Sequence, residues 1–191
     1  MLGLPIIRKP PPMNIPATCL LALAFMSAAS AQNAVWKDKD GNPVPETESR
    51  RSLNDLAGAL LVTSDANWQE KWDTPEDTIP EFREAKSVAK GNSIFILTLF
   101  SNPKLDANAQ ANLACDIDIT RPDGTSSMHE ADANCYQGPI KGNPYGMRLA
   151  LPVIGFKGDP GDPAGVWTVH IALKDKVANT VLPLKTSFIL E

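Results

Sequence analysis

The sequence predicts a mainly β domain, folded as an antiparallel sandwich with one short N-terminal helix and one disulfide. Three observations predict it. Apolar residues alternate in short runs: Leu113, Cys115, Ile117 and Ile119, then Trp167, Val169, Ile171 and Leu173, then Leu182, Leu184, Phe188 and Leu190. A period of two puts each set on one face of a strand. Turn signals separate the runs, as in Arg121-Pro122-Asp123-Gly124, with Pro second and Gly fourth. No internal period repeats, which excludes a solenoid.

The chain of 191 residues opens on a predicted export signal, 1–31. Arg8 and Lys9 give it a positive start, and an apolar run follows from Ala17 to Met26. That run falls short of the roughly 20 residues a membrane span needs. Ala29-Ser30-Ala31 is an A-x-A site, placing cleavage between Ala31 and Gln32. Cys19 sits near the start of the apolar run, not after it, which argues against a lipoprotein. Met13 is an alternative start, but it would discard Arg8 and Lys9.

Residues 32–52 are polar and charged, and read as a flexible N-terminal arm with Trp36 its one large apolar group. Asp38 to Asn42 has the composition of a calcium loop but not its spacing: with Gly41 at the sixth position, Trp36 would be the first ligand. The remainder, 53–191, is predicted to be a single sandwich domain, large enough for a hydrophobic core.

Leu56 to Val62 is apolar and suits a short strand or helix. Ser64 or Asp65 is the expected N-cap of a one- to two-turn helix, with Pro75 as its stop. On that helix Trp68 and Trp72, at i and i+4, share a face. Ser93 to Phe100 is apolar on both faces and β-branched or aromatic, as in a central buried strand. Asp116 and Asp118 take the polar face of the next strand. Met147, Leu149, Leu151 and Val153 predict another alternating face, and a Gly/Pro/Asp loop runs from Gly155 to Gly165. Asp175 to Asn179 turns the chain into the last strand.

Composition excludes some functions. The net charge is −4, and removing Arg8 and Lys9 with the signal makes the chain more acidic. No basic cluster interleaves with aromatics, so nucleic acid is not an expected partner. Nor is an anionic membrane. After signal removal Cys115 and Cys135 form an even pair in an oxidising compartment, and a disulfide between them is expected. A bridge closing such a loop is worth about 3 kcal/mol in the chain-entropy model. A redox pair or two metal ligands are the alternatives, and C-x-x-C spacing is absent.

Chemistry is sparse. His129 and His170 are the only histidines, and no Gly-x-Ser-x-Gly elbow or H-E-x-x-H motif occurs. No catalytic residue, metal site or cofactor is expected. Asp116, Asp118 and Asp123, or Asp159 and Asp162 in the Gly/Pro loop, have the chemistry for calcium, but equally that of charges protecting a strand edge. Two surfaces stand out for binding. Trp68 and Trp72 suit a sugar or a protein partner, or else plug one end of the sandwich. The 155–165 loop, with Asp159 and Asp162, is the second, or else a plain connection.

The stretch Gly165-Val166-Trp167-Thr168-Val169-His170-Ile171-Ala172-Leu173-Lys174-Asp175, followed by Leu182-Pro183-Leu184 and Phe188-Ile189-Leu190, resembles the closing hairpin of immunoglobulin-like and fibronectin-like sandwich domains. The resemblance implies an immunoglobulin-like β-sandwich. Trp167 follows both cysteines, so the antibody order of Cys, Trp, Cys is absent, and the bridge need not span the two sheets. Such folds host many activities. The expected function is a non-catalytic binding or protein-interaction module of the bacterial envelope, periplasmic or secreted, with an envelope or secreted protein as partner. A carbohydrate-binding module using Trp68 and Trp72 is the alternative, and a hydrolase using surface carboxylates is disfavoured.

Overall fold

The computed structural model describes residues 36–37, 40–75 and 80–191, which belong to one compact unit. The predicted export signal lies outside the described residues. Nine strands and one short helix follow: β1 (Arg50–Leu53), β2 (Leu56–Thr63), α1 (Trp68–Trp72), β3 (Ser87–Val88), β4 (Ser93–Ser101), β5 (Gln110–Thr120), β6 (Ser126–Pro139), β7 (Arg148–Lys157), β8 (Gly165–Asp175) and β9 (Thr180–Leu190). They form a four-stranded sheet, β1-β2-β4-β7, and a five-stranded sheet, β3-β9-β8-β5-β6. Every pairing is antiparallel except the short one between β3 and β9.

The two sheets share one core. Leu60, Val62, Ile94, Ile96 and Phe100 of the first pack with Ile117, Val169, Ile171, Leu173, Leu184 and Phe188 of the second. Gly58 marks the closest approach: a Cβ there would lie 3.0 Å from methyls of Leu182 and Leu184. Trp167 is buried in this core, its ring stacked on Phe188 with centroids 6.3 Å apart. The β8–β9 hairpin runs in unbroken register from Gly165↔Leu190 to Asp175↔Thr180. At its turn the buried Asp175 carboxylate accepts N–H bonds from Lys104, Val177 and Ala178.

Five details depart from the sequence reading. First, Asn67, not Ser64 or Asp65, is the N-cap of α1; the Asp65 carboxylate is taken by Lys71 and the Arg83 backbone instead. Second, β6 is a strand of 14 residues that alternation did not reveal. Three register shifts against β5 break its period of two, and its side chains are mostly exposed. Third, β7 continues through Lys157, so the loop expected from Gly155 is shorter. Fourth, the alternating set on β7 faces outward. Ala150 and Ile154 are the buried residues, while Leu151 is 59% exposed. A register shift opposite Leu97, between Ile96 and Thr98 of β4, accounts for the mixed phase. β1 also begins at Arg50, inside the stretch read as an arm, and Thr47 bridges Arg50 ahead of it.

The bridge between Cys115 and Cys135 joins β5 to β6, neighbours in the five-stranded sheet, with Cα atoms 5.8 Å apart. Both cysteines are buried. The disulfide therefore fastens an edge strand to its own sheet and does not cross the core.

Candidate functional site

Alternation from Gly58, which faces the core, turns Ala57, Ala59, Leu61 and Thr63 of β2 to the outer face. Their partners on β4 are Ser101, Leu99, Leu97 and Phe95. β7 adds Leu149 opposite Leu99 and Gly155 opposite Phe95. The outer face of the four-stranded sheet is thus apolar across three strands. Leu97 is fully buried, whereas Leu61, Phe95, Leu99 and Leu149 are half-buried and Leu151 is exposed. An antiparallel sheet with one face on the core normally presents polar residues on the other.

Trp68 sits on this face. Trp68 packs its ring against Phe95, with centroids 6.2 Å apart and planes tilted by 45°. Phe95 in turn lies over Gly155, where a Cβ would be 3.7 Å from the ring. Trp72, one helical turn on, is half-buried like Trp68. Neither tryptophan belongs to the inter-sheet core, and neither stands free in solvent. The helix is held by a polar clamp at its base. The Lys71 ammonium donates to the Asp65 carboxylate (2.7 Å) and to the Glu81 carbonyl (3.0 Å), and the Arg83 N–H donates to Asp65 (2.8 Å). Thr63 Oγ1 accepts the Asp65 N–H and donates to the Arg83 carbonyl. The hydrogen bond from Lys71 holds the Asp65 carboxyl below its ordinary value. At the β1 edge the Arg50 guanidinium lies 5.8 Å from the Trp36 ring centroid. Trp36 Nε1 and Arg50 Nε are both shielded from solvent without a hydrogen-bond partner.

The 155–165 segment is occupied by its own contacts. Asp162 accepts the Asp159 N–H (2.9 Å), and the Asp159 carbonyl accepts the Asp162 N–H (3.0 Å). This closes a β-turn from Asp159 to Asp162. The Pro163 carbonyl accepts Trp167 Nε1–H, and the Pro160 carbonyl accepts Lys90. Gly158 packs against Leu190, whose methyl would have to shift to admit a Cβ there.

The outer face of the five-stranded sheet carries charge. Asp118 stands in register with His129 on β6 and His170 on β8, and His170 with Lys185 on β9. The His129 Nδ1–Asp118 contact is 2.5 Å. Lys174 bridges Asp116 (2.6 Å) and Asp132 (3.2 Å), and Lys176 also reaches Asp132. Asp118 raises the His129 pKa, chiefly by hydrogen bonding. Lys174 lowers that of Asp116, and Lys176 that of Asp132. Among the described residues neither histidine hydrogen-bonds a hydroxyl or thiol, and no cluster of His, Cys, Asp or Glu is placed to hold a metal. Asp116 and Asp118 are neighbours on one flat face with no cleft between them, and Asp123 caps its own turn through Thr125. Exposed pairs of this kind keep an open sheet face soluble and contribute little stability.

Sequence reasoning singled out Trp68 and Trp72 but missed the surface that joins them: Leu61, Phe95, Leu99, Leu149 and Leu151. The signal was present in β4. A strand apolar on both faces, in a sheet with only one face on the core, has a second surface to cover.

No family model matches the chain, and no curated protein matches its sequence. Some solved structures overlap part of the chain. A family 123 glycoside hydrolase from Clostridium perfringens overlaps 72% of this chain and 27% of its own, at 10% identity and a TM-score of 0.42. The chain therefore spans about a quarter of that enzyme. A Niemann-Pick type C2 protein from the Japanese carpenter ant overlaps 69% of this chain and 89% of its own, at 9% identity and a TM-score of 0.37. An alkylpurine DNA glycosylase from Pseudomonas fluorescens overlaps 72% and 30%, at 14% identity and a TM-score of 0.36. At this degree of overlap none of the three bears on what this protein does.

Proposed function

We propose that the protein is an exported, non-catalytic interaction module whose immunoglobulin-like sandwich docks an envelope or secreted protein through the outer face of its four-stranded sheet. The observation that carries the reading is the apolar outer face of β2, β4 and β7, flanked by Trp68 and Trp72. Apolar surface of this extent on one side of a molecule is a mark of association, and aromatic anchors dominate association energetics. Export is supported by the Cys115–Cys135 disulfide, a bond of oxidising compartments, and no helix among the described residues is long and apolar enough to cross a membrane. The immunoglobulin-like assignment is supported by strand order: β2-β4-β7 in one sheet against β9-β8-β5-β6 in the other, with the chain passing between sheets after β2, β3, β4, β6 and β7.

The test is a cross-linked pull-down of the tagged protein from its native envelope, repeated with Leu151→Lys and with the double change Trp68→Ala/Trp72→Ala, each checked for folding. One dominant partner, captured by the wild type and lost with both folded variants, is the expected result. A partner retained by both overturns the reading. Tryptophan quenching by a soluble glycan, with no protein captured, would replace the protein partner by a carbohydrate on the same indoles.

A further inference from the structure

A second site lies at the seam where the edges of the two sheets meet. β9 pairs with β8 on one side, and its other edge is met by two separate pieces of chain. The Lys185 N–H donates to the Glu48 carbonyl (2.8 Å) and the Ile189 N–H to the Lys86 carbonyl (2.9 Å). Alternation turns the N–H and C=O of Ser187 to that same edge, between the two. On that edge β3 pairs only with Ile189 and Leu190, and no loop backbone bonds Ser187 among the described residues. β2 shows the same interruption. The Leu60 N–H donates to the Ser49 carbonyl (2.8 Å) and the Ala85 N–H to the Val62 carbonyl (2.9 Å), while the Val62 N–H, on that edge, is left over. Both interruptions open onto one cavity of about 440 Å³, with Leu60, Val62 and Phe188 among its apolar lining and Thr186, Ser187 and Lys86 among its polar lining. That volume is in the range of sites that hold small ligands.

From this geometry we infer that the seam binds a short extended peptide segment, inserted between the edges of β2 and β9. An extended chain presents successive residues to opposite sides. One residue meets the Ser187 N–H and C=O together, its neighbour offers a carbonyl to the Val62 N–H, and an apolar side chain enters the space over Leu60 and Phe188. Strand addition of this kind draws affinity from main-chain hydrogen bonds and specificity from pockets. The window is short. The four steps from Lys185 to Ile189 span about 13 Å at strand rise, and Glu48 and Lys86 close its two ends. It therefore admits two or three residues, as a chain end or loop tip offers, and excludes a long strand running through. The cavity shares Leu61 with the apolar outer face, but the backbone groups it uses, on Val62 and Ser187, take no part there, so each proposal has its own test.

The test uses the isotope-labelled protein and the peptide acetyl-Val-Leu-Val-methylamide, alongside the same peptide methylated on its backbone nitrogens. Saturable shifts of the Val62 and Ser187 amide resonances with the first peptide, and binding weaker by about tenfold with the second, are expected from loss of a hydrogen-bond donor. Ser187→Pro removes the edge N–H without touching the ladder to β8, and should weaken the first peptide similarly. No saturable shift at millimolar peptide overturns the inference. So does equal affinity of the methylated peptide, or shifts confined to Trp68 and Phe95. Unchanged binding by a folded Ser187→Pro variant overturns it too; if that variant does not fold, the peptide pair decides.

Discussion

The two sheets bury the same kind of residue on their inner faces and present opposite chemistry on their outer ones. Over β5, β8 and β9 the outward positions include Asp116, Asp118, His170, Lys174 and Lys185, with Val166, Val181 and Ile189 exposed among them. Over β2 and β4 they are Ala59, Leu61, Phe95, Leu97 and Leu99. Inner faces are alike because both serve one core. The outer faces are free to differ, so their difference reports what each meets. The charged face is satisfied by water and by its own cross-strand pairs. The apolar face is only partly covered, with Trp68 on Phe95, and leaves Leu151 in solvent.

The largest expected effect lies on the charged side. Changing Cys115 and Cys135 together to serine frees the edge strand β6, and should lower unfolding free energy by about 3 kcal/mol, read as a shift in the urea midpoint. A loss comparable to experimental error would show that the polar ladder alone holds β6. On the apolar side, Phe95→Ala removes a half-buried ring and the support of Trp68. A loss of about 2 kcal/mol is expected, roughly half the value for a fully buried ring, with a red shift of tryptophan emission as Trp68 gains water. An unshifted spectrum would mean that Trp68 is held elsewhere. Leu151→Lys should change stability by less than about 0.5 kcal/mol, because the residue is exposed, yet abolish partner capture. Stability lost in that variant would move Leu151 from docking to packing.

The smallest effects are those of pH, and only the one above neutrality belongs to a single face. His129 has a folded pKa raised above its ordinary 6.5, so its pairing with Asp118 contributes fully below 6.5 and is lost as pH rises through the folded value. Asp65 has a folded pKa below its ordinary 3.8, so its clamp on α1 contributes above 3.8 and is lost as pH falls through the folded value. Asp116 and Asp132 follow the acid-side pattern as well. A small stability decrease above pH 6.5, absent in His129→Gln, is therefore expected to mark the charged face alone. Persistence of that decrease in the variant would assign it to another group.

Much of this was legible in the strands themselves. The inward sets of β5 and β8 alternate without interruption, that of β9 breaks only at Thr186, and the disulfide joins Cys115 to Cys135 as expected. β6 was illegible because three register shifts break its period. The face of β7 was read in the wrong sense because Leu149 and Leu151 look like core residues until the register against β4 is known.

The sequence alone determined which residues alternate, where the chain turns and which cysteines pair, because these depend on local backbone geometry and composition. Only the tertiary structure decided which side of each strand meets the core, that Trp68 rests on Phe95, and that Ser187 and Val62 open onto one cavity. Those facts depend on which strands become neighbours, and pairing is set by the joint burial of residues far apart in the chain.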